Sequence, residues 1–253
     1  MSPNLMVAVP THSGQMESVT TESLLQLQKA LIERGGQMTL KVHSGSVIST
    51  LRNVIAADFL GSEADTLLML DADQGISGAG LMRLIDFGEP IVGVIAPKRV
   101  YNWSHVDPRE TAEDMGRIRY QAMAWAGRLD SAEDGQTEVR DGFARAIHVG
   151  SGIMVVQRPA FETMMAAHPE LEGVGFNTAE FPPGRFTHNW GFFNPLTLPE
   201  EGGAMTEDFS FCHRWRALGG ELWADIVTPT VHVGRHVFGG SYLEFIRASQ
   251  PKG

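Results

Sequence analysis

Apolar residues in the first 95 positions follow two alternating rhythms. Unbroken apolar runs at residues 5–9, 66–70 and 91–95 read as strands buried on both faces. Between them lie stripes at helical spacing. Leu24, Leu27 and Leu31 mark a helix over residues 18–34, closed by Gly35-Gly36. Leu51, Ile55 and Phe59 mark a second helix over residues 49–60, and a third covers residues 78–87. Residues 37–43 alternate at Met38, Leu40 and Val42 as a further strand. The order β-α-β-α-β-α-β implies a parallel sheet with right-handed crossovers and helices on both faces. Ligands of such sheets sit beyond the carboxyl ends of the strands. Pro10-Thr11, Ser44-Gly45, Asp71-Ala72-Asp73 and Pro97-Lys98-Arg99 all fall there.

The rhythm changes after residue 95. Residues 127–142 are polar and acid-rich, an excursion between strands at 120–126 and 143–148. Gly150-Ser151-Gly152 precedes another apolar run at 153–156, and residues 159–167 read as a short helix begun by Pro159. Residues 173–195 have no period; they contain Pro182-Pro183-Gly184 and the aromatics Phe176, Phe181, Phe186, Trp190, Phe192 and Phe193. Residues 206–218 read as a helix, with Thr206 as N-cap, Glu207 and Asp208 at its positive end, and Gly219-Gly220 after it. Short strands at 221–224 and 228–233 and a last helical turn or two at 241–247 complete the chain. The whole is expected to be one domain over residues 1–253.

Composition narrows the function classes. The 253 residues are 43% hydrophobic, enough for a packed core. A formal net charge of −10 argues against a surface that wraps nucleic acid. The single cysteine, Cys212, excludes an internal disulfide and a cysteine zinc site, and it reads as a buried helix residue. The amino-terminal stretch lacks the basic start of a signal peptide, and no apolar run is long enough for a membrane span, so the expectation is a soluble cytoplasmic protein.

Candidate chemistry centres on Asp71 and Asp73. Two acids at the end of a buried run must be solvated, paired or cation-bound, because a buried unpaired charge is costly. Closely spaced oxygen ligands suit Mg²⁺ or Mn²⁺. One carboxylate of Glu207-Asp208 is a candidate general base. His232 is a candidate third metal ligand if the fold brings it beside Asp73, with His236 as the rival. Arg52, Lys98 and Arg99 are candidates for a diphosphate.

In this order, Pro10-Thr11, Arg52-Asn53, Asp71-Ala72-Asp73, Pro97-Lys98-Arg99, Gly150-Ser151-Gly152, Thr206-Glu207-Asp208 and His232-Val233-Gly234 resemble the GT-A fold glycosyltransferases, close to the family 2 type of bacteria and their phages. The resemblance spans about residues 5–240. It implies a Rossmann-like, mostly parallel central sheet with a smaller antiparallel part on the acceptor side. Residues 1–120 would form a nucleotide-binding half and residues 121–253 an acceptor-binding half. It also implies transfer of a sugar from a nucleotide-sugar, a UDP-sugar by the family's habit, to a carbohydrate or other hydroxyl acceptor. Asp71, Asp73 and His232 would hold Mn²⁺ or Mg²⁺, and Asp208 would be the base in an inverting reaction. Pro10, Thr11, Arg52, Asp71 and Ala72 would line the donor site with Lys98 or Arg99, above Gly150, Ser151 and Gly152. Trp190, Phe192 and Phe193 would bind acceptor. On this reading Asp73 and His232 lie within about 4 Å of each other, given ligand bond lengths of about 2.0–2.2 Å. A sugar-phosphate nucleotidyltransferase is disfavoured, since residues 10–14 lack the basic, glycine-rich loop expected of one. A receiver-like or carbohydrate-binding module would leave Glu207-Asp208 and His232 unexplained.

Overall fold

The computed structural model describes residues 4–107, 109–110, 114–132, 135–182, 184–198 and 203–250; Pro183 lies outside them. The chain runs β1 (Leu5–Thr11), α1 (Ser18–Glu33), β2 (Met38–Ser44), α2 (Ile48–Leu60), β3 (Thr66–Leu70), β4 (Gln74–Ile76), α3 (Gly78–Asp86), β5 (Ile91–Val94), β6 (Ala96–Tyr101) and α4 (Met115–Ala122). It continues through β7 (Met123–Leu129), β8 (Val139–Arg140), β9 (Phe143–Val149), β10 (Ile153–Gln157), α5 (Arg158–Ala167), β11 (Thr197–Leu198) and β12 (Gly203–Ala204). It ends with α6 (Glu207–Ala217), β13 (Trp223–Asp225), β14 (Thr230–Val233), β15 (Val237–Gly240) and α7 (Tyr242–Ser249).

The unbroken apolar runs have a direct structural cause. Met6, Ala8, Leu67 and Met69 pack toward α2, α5 and α6 on one face of the sheet. Leu5, Val7, Val9, Leu68 and Leu70 pack toward α1 and α3 on the other. Consecutive residues of β1 and β3 thus enter different cores, and the polar residues of the two strands, Thr11 and Thr66, fall only at their ends.

The central sheet has the order β2-β1-β3-β10-β5-β13-β9-β7-β6, with β8 on β9. β1 pairs parallel with β2 and β3, and β5 pairs parallel with β13. The sheet is mixed, as the mostly parallel expectation allows: β10 runs antiparallel between β3 and β5. It is itself an apolar run buried on both faces and fills the slot between them. An antiparallel part, β13-β9-β7-β6, completes the sheet.

Some expectations need correction. Leu40 and Val42 of β2 are 43% and 45% exposed. β2 is an edge strand, and α1 packs on α3 and β4 instead of covering it. Lys98 and Arg99 follow β5, the strand expected at 91–95, but they lie within a further strand, β6, that the sequence does not announce. The segment expected as a strand from residue 120 starts as the end of α4. Thr206 makes no side-chain cap to α6; its hydroxyl turns to Asp208 instead. Past β7 the acid-rich stretch is an excursion between β7 and β9 over residues 130–132 and 135–142, and the segment 173–195 is irregular over 173–182 and 184–195; Glu133 and Asp134 lie outside the described residues.

A second sheet, β15-β14-β4, grows out of the end of β3. β4 begins one residue after Asp73. It pairs antiparallel with β14, Gln74 opposite His232.

Candidate active site

The pairing of β4 with β14 carries the end of β3 to a residue 159 positions later in the chain. Val233 N–H donates to the Asp73 carbonyl at 2.8 Å, and His232 Nε2 lies 3.3 Å from Asp73 Oδ1. The span is inside the 4 Å anticipated for two ligands of one ion. The turn itself is pinned from below. Thr20, fully buried on α1, donates to the carbonyls of Gln74 (2.8 Å) and Asp71 (3.3 Å), and Glu17 N–H donates to Ala72 O at 2.7 Å.

The tautomer of His232 follows from its second contact. Nδ1 is 2.8 Å from the Pro97 carbonyl, which only accepts, so Nδ1 carries the proton. In the neutral ring, Nε2 then presents a lone pair to a carboxylate oxygen. Two acceptors facing each other at that distance are an arrangement that a shared cation would bridge. A carbonyl that fixes the tautomer of a ligand histidine is a recurring feature of metal sites. Burial alone would raise the Asp73 carboxyl, but its hydrogen bond and charge interaction with His232, together with Arg99, outweigh that and hold it below the ordinary carboxylate value. Arg99 Nη1 sits 2.8 Å from Asp73 Oδ2. Gly234 lies under this arginine; a Cβ there would come 3.0 Å from Arg99 Cδ.

Asp71 is placed differently from the expectation of a metal ligand. Both of its oxygens face Arg52 Nη2, at 3.0 and 3.2 Å. Among the described residues no group of three or more His, Cys, Asp or Glu side chains is arranged to hold a metal ion. The protein thus offers one carboxylate and one imidazole. That set fits Mg²⁺ or Mn²⁺ when the remaining positions come from substrate phosphate and water, the usual arrangement for such ions.

Arg52 also differs from its expected place against a phosphate. Its side chain is only 3% exposed, and all three nitrogens are engaged: Nη2 with Asp71, Nη1 with the Ser151 carbonyl at 3.3 Å, and Nε with Glu207 at 3.4 Å. Burial works to lower its pKa, but Asp71, Glu207 and Asp208 together hold it above the ordinary guanidinium value. Glu207 is itself pushed up, by burial and then by Asp208, against the pull of Arg52. Asp208 accepts from the Thr206 hydroxyl and, at 2.9 Å, from Phe209 N–H, both at Oδ1. Its Oδ2 points toward Gly150, where a Cβ would be 3.6 Å away.

The Gly150-Ser151-Gly152 turn lies at the middle of this network. Asp71 N–H donates to the Gly152 carbonyl at 2.7 Å, and a Cβ on Gly152 would clash with the Gln74 amide and lie 2.9 Å from Asp71 Oδ2. The glycine is required by this close approach.

An open cleft of about 1010 Å³ lies over the carboxyl ends of β1, β2 and β3. Its walls bring together Pro10, Thr11, Asp71, Ala72, Asp73 and Arg99 from the candidates that the sequence offers. Lys98, on β6, is exposed and lies away from these walls. Residues that sequence reasoning missed also line it, among them His12, Gln15, Glu17 and Ser46, from the loops after β1 and β2. Their strand-end position was the available signal. Trp190, Phe192 and Phe193 are corrected outright. They are 8%, 0% and 0% exposed, and Phe192 and Phe193 pack on Phe161 and Phe211 in the core beneath the sheet. Apolar rings in this aperiodic segment form no binding surface; they anchor the segment to the core. His236, the rival ligand, is exposed in the turn between β14 and β15.

No helix among the described residues is long and apolar enough to cross a membrane. No protein-family model matches the chain, and no curated protein matches it. Among solved structures, it aligns with A197 from STIV at 13% identity, covering 93% of each chain with a TM-score of 0.43. It aligns with GalNAc-T7, solved with UDP, GalNAc and Mn²⁺, at 12% identity, covering 92% of this chain and 43% of that one with a TM-score of 0.47. A third match is 4-diphosphocytidyl-2C-methyl-D-erythritol synthase from Anaerococcus prevotii, at 7% identity, covering 70% and 78%, with a TM-score of 0.33.

Proposed function

We propose that this chain is a GT-A-type glycosyltransferase, moving a sugar from a nucleotide-sugar, with a uridine nucleotide as first candidate, to a hydroxyl acceptor. One observation carries the reading. Asp73 and a tautomer-fixed His232 meet at the rim of a cleft at the strand ends, the place where this architecture binds nucleotides. Asp73 and His232 would hold Mg²⁺ or Mn²⁺, which when bound neutralises charge developing on a leaving diphosphate. Pro10 and Thr11 would flank the nucleotide, and Arg99, released from Asp73, would contact its phosphates as a cation that the ion has displaced. Asp208 would take the acceptor proton at Oδ2, which accepts no hydrogen bond from the described residues. The acceptor oxygen bonds to the anomeric carbon as the bond from that carbon to phosphate breaks, and the nucleoside diphosphate leaves. Single displacement inverts the anomeric centre.

Thermal-shift measurements with UDP-, GDP-, CMP- and dTDP-sugars, with and without Mn²⁺, test this. One donor should raise the melting temperature only with metal; at about 100 times its Kd the native state gains about 2.7 kcal/mol. Asp73→Ala should abolish that gain. A metal-dependent shift that survives in Asp73→Ala removes the metal role, and no shift with any donor removes the function. Asp208→Asn should bind donor normally but lower turnover by about 10²-fold or more. Lost donor binding in that variant would place Asp208 in the donor site instead.

A further inference from the structure

A second cavity, of about 460 Å³, adjoins the first through Arg99, which lines both. It lies between β6 and the turn joining β14 to β15, with Tyr101, Arg235, His236 and Phe238 in its walls. Two features set it apart from ordinary surface.

The first is an aromatic shelf. Tyr101 stacks on Trp103 (centroids 5.4 Å apart, planes at 28°) and lies 4.7 Å from Phe238. Trp103 is nonetheless 62% exposed, and Val100 and Val237 beside the shelf are 51% and 61% exposed. A large ring held in place by a neighbour while presenting its outer face to water marks a contact surface.

The second is charge. The chain carries a net charge of −10, yet this cavity is walled by two arginines, Arg99 and Arg235. Arg99 is committed to Asp73 and neutralises it. Arg235 is exposed, and among the described residues it has no ion pair and no hydrogen bond. With Arg99 paired to Asp73, Arg235 is the uncompensated positive charge of this cavity among the described residues, and it favours an anionic ligand.

We infer that this cavity is an acceptor subsite for an acidic carbohydrate, a glycan carrying carboxylate or phosphate groups. The inference rests on the glycosyltransferase reading for the word acceptor. The flat C–H face of a sugar ring matches the exposed face of Trp103, and Arg235 supplies the counter-charge to the acidic group. Arg99 marks the passage from this cavity to the donor cleft. The site also supplies the acceptor surface that Trp190, Phe192 and Phe193, being core residues, do not form.

The test uses the full chain and a glycan array of uronic-acid, sialylated, phosphorylated and neutral oligosaccharides, followed by calorimetric titration with the strongest binder. Acidic oligosaccharides should bind and neutral ones should not, with affinity falling as salt rises. Trp103→Ala and Arg235→Ala should each weaken binding at least tenfold. Arg235 is exposed and unpaired among the described residues, so Arg235→Ala should leave the melting temperature unchanged, Trp103→Ala should lower it slightly through its lost stacking on Tyr101, and neither should change the nucleotide-sugar shift with Mn²⁺. Neutral oligosaccharides binding equally, either variant binding as the parent does, or a single-stranded oligonucleotide binding in place of any glycan would each overturn the inference. Absence of glycan binding alongside an intact nucleotide-sugar shift overturns this inference alone. Absence of both removes the function as well.

Discussion

His148 shows how a residue can be placed by the fold without a motif to announce it. Its ring lies 3.7 Å from that of Phe209, the residue after Asp208. Burial, and then the charge of Arg128, push its pKa down from 6.5 to about 4, against a smaller opposing pull from Asp208. A histidine depressed in the folded state contributes stability that is complete above its unfolded value and is lost as pH falls through the folded one. Between about pH 6.5 and pH 4 the unfolded chain therefore gains a proton that the folded chain refuses. His148→Gln should remove this part of the acid destabilisation. Melting temperatures across that interval should fall more steeply for the parent than for the variant, and parallel curves would show that the ring titrates freely. Cys212 is the converse case: wholly buried on α6, its thiol is pushed up to about 12, mainly by burial, so it is a packing residue as its sequence context implied.

Arg52 acts between elements. From α2 it reaches the end of β3 through Asp71, the turn before β10 through the Ser151 carbonyl, and the start of α6 through Glu207. Side chains of Asp71 and Glu207 are 24% and 16% exposed, so removing the arginine leaves two poorly solvated acids uncompensated. Breaking a buried pair in this way typically costs about 3–5 kcal/mol. Arg52→Met should accordingly lower the unfolding free energy from urea titration by about 3 kcal/mol. Arg52→Lys should recover little of it, because an ammonium cannot reach three partners in one plane. A stability equal to the parent's in Arg52→Met would mean that the cluster is solvated and the arginine dispensable. The small sheet β15-β14-β4 is the other device at this scale. Its register, Gln74 opposite His232, sets the spacing of Asp73 and His232; a one-residue slip would turn one of the two side chains to the opposite face.

At the scale of the molecule, the two halves implied by the resemblance are interleaved. β10 lies between β3 and β5, and β13 lies between β5 and β9. Neither half can complete its share of the sheet alone, so we expect one cooperative unit over the whole chain. Calorimetry of the full chain should show a single transition with equal calorimetric and van't Hoff enthalpies; two resolved transitions would separate the halves. The elements themselves were largely legible from sequence, because burial on both faces forces unbroken apolar runs in β1, β3, β5 and β10, and helical stripes follow from the faces that α1 and α2 bury. β4, β6 and β15 were not legible, since strands of three to six residues with glycines or charges carry no period. Asp71-Ala72-Asp73 could be read as a strand-end pair of acids because buried charge is costly wherever the strand leads. Which of the two acids faces Arg52 and which faces His232 could not be read there. Those partners are 19 and 159 residues away, and only the closure of the sheet and the pairing of β4 with β14 decide which carboxylate is held by a buried arginine and which meets the imidazole at the rim.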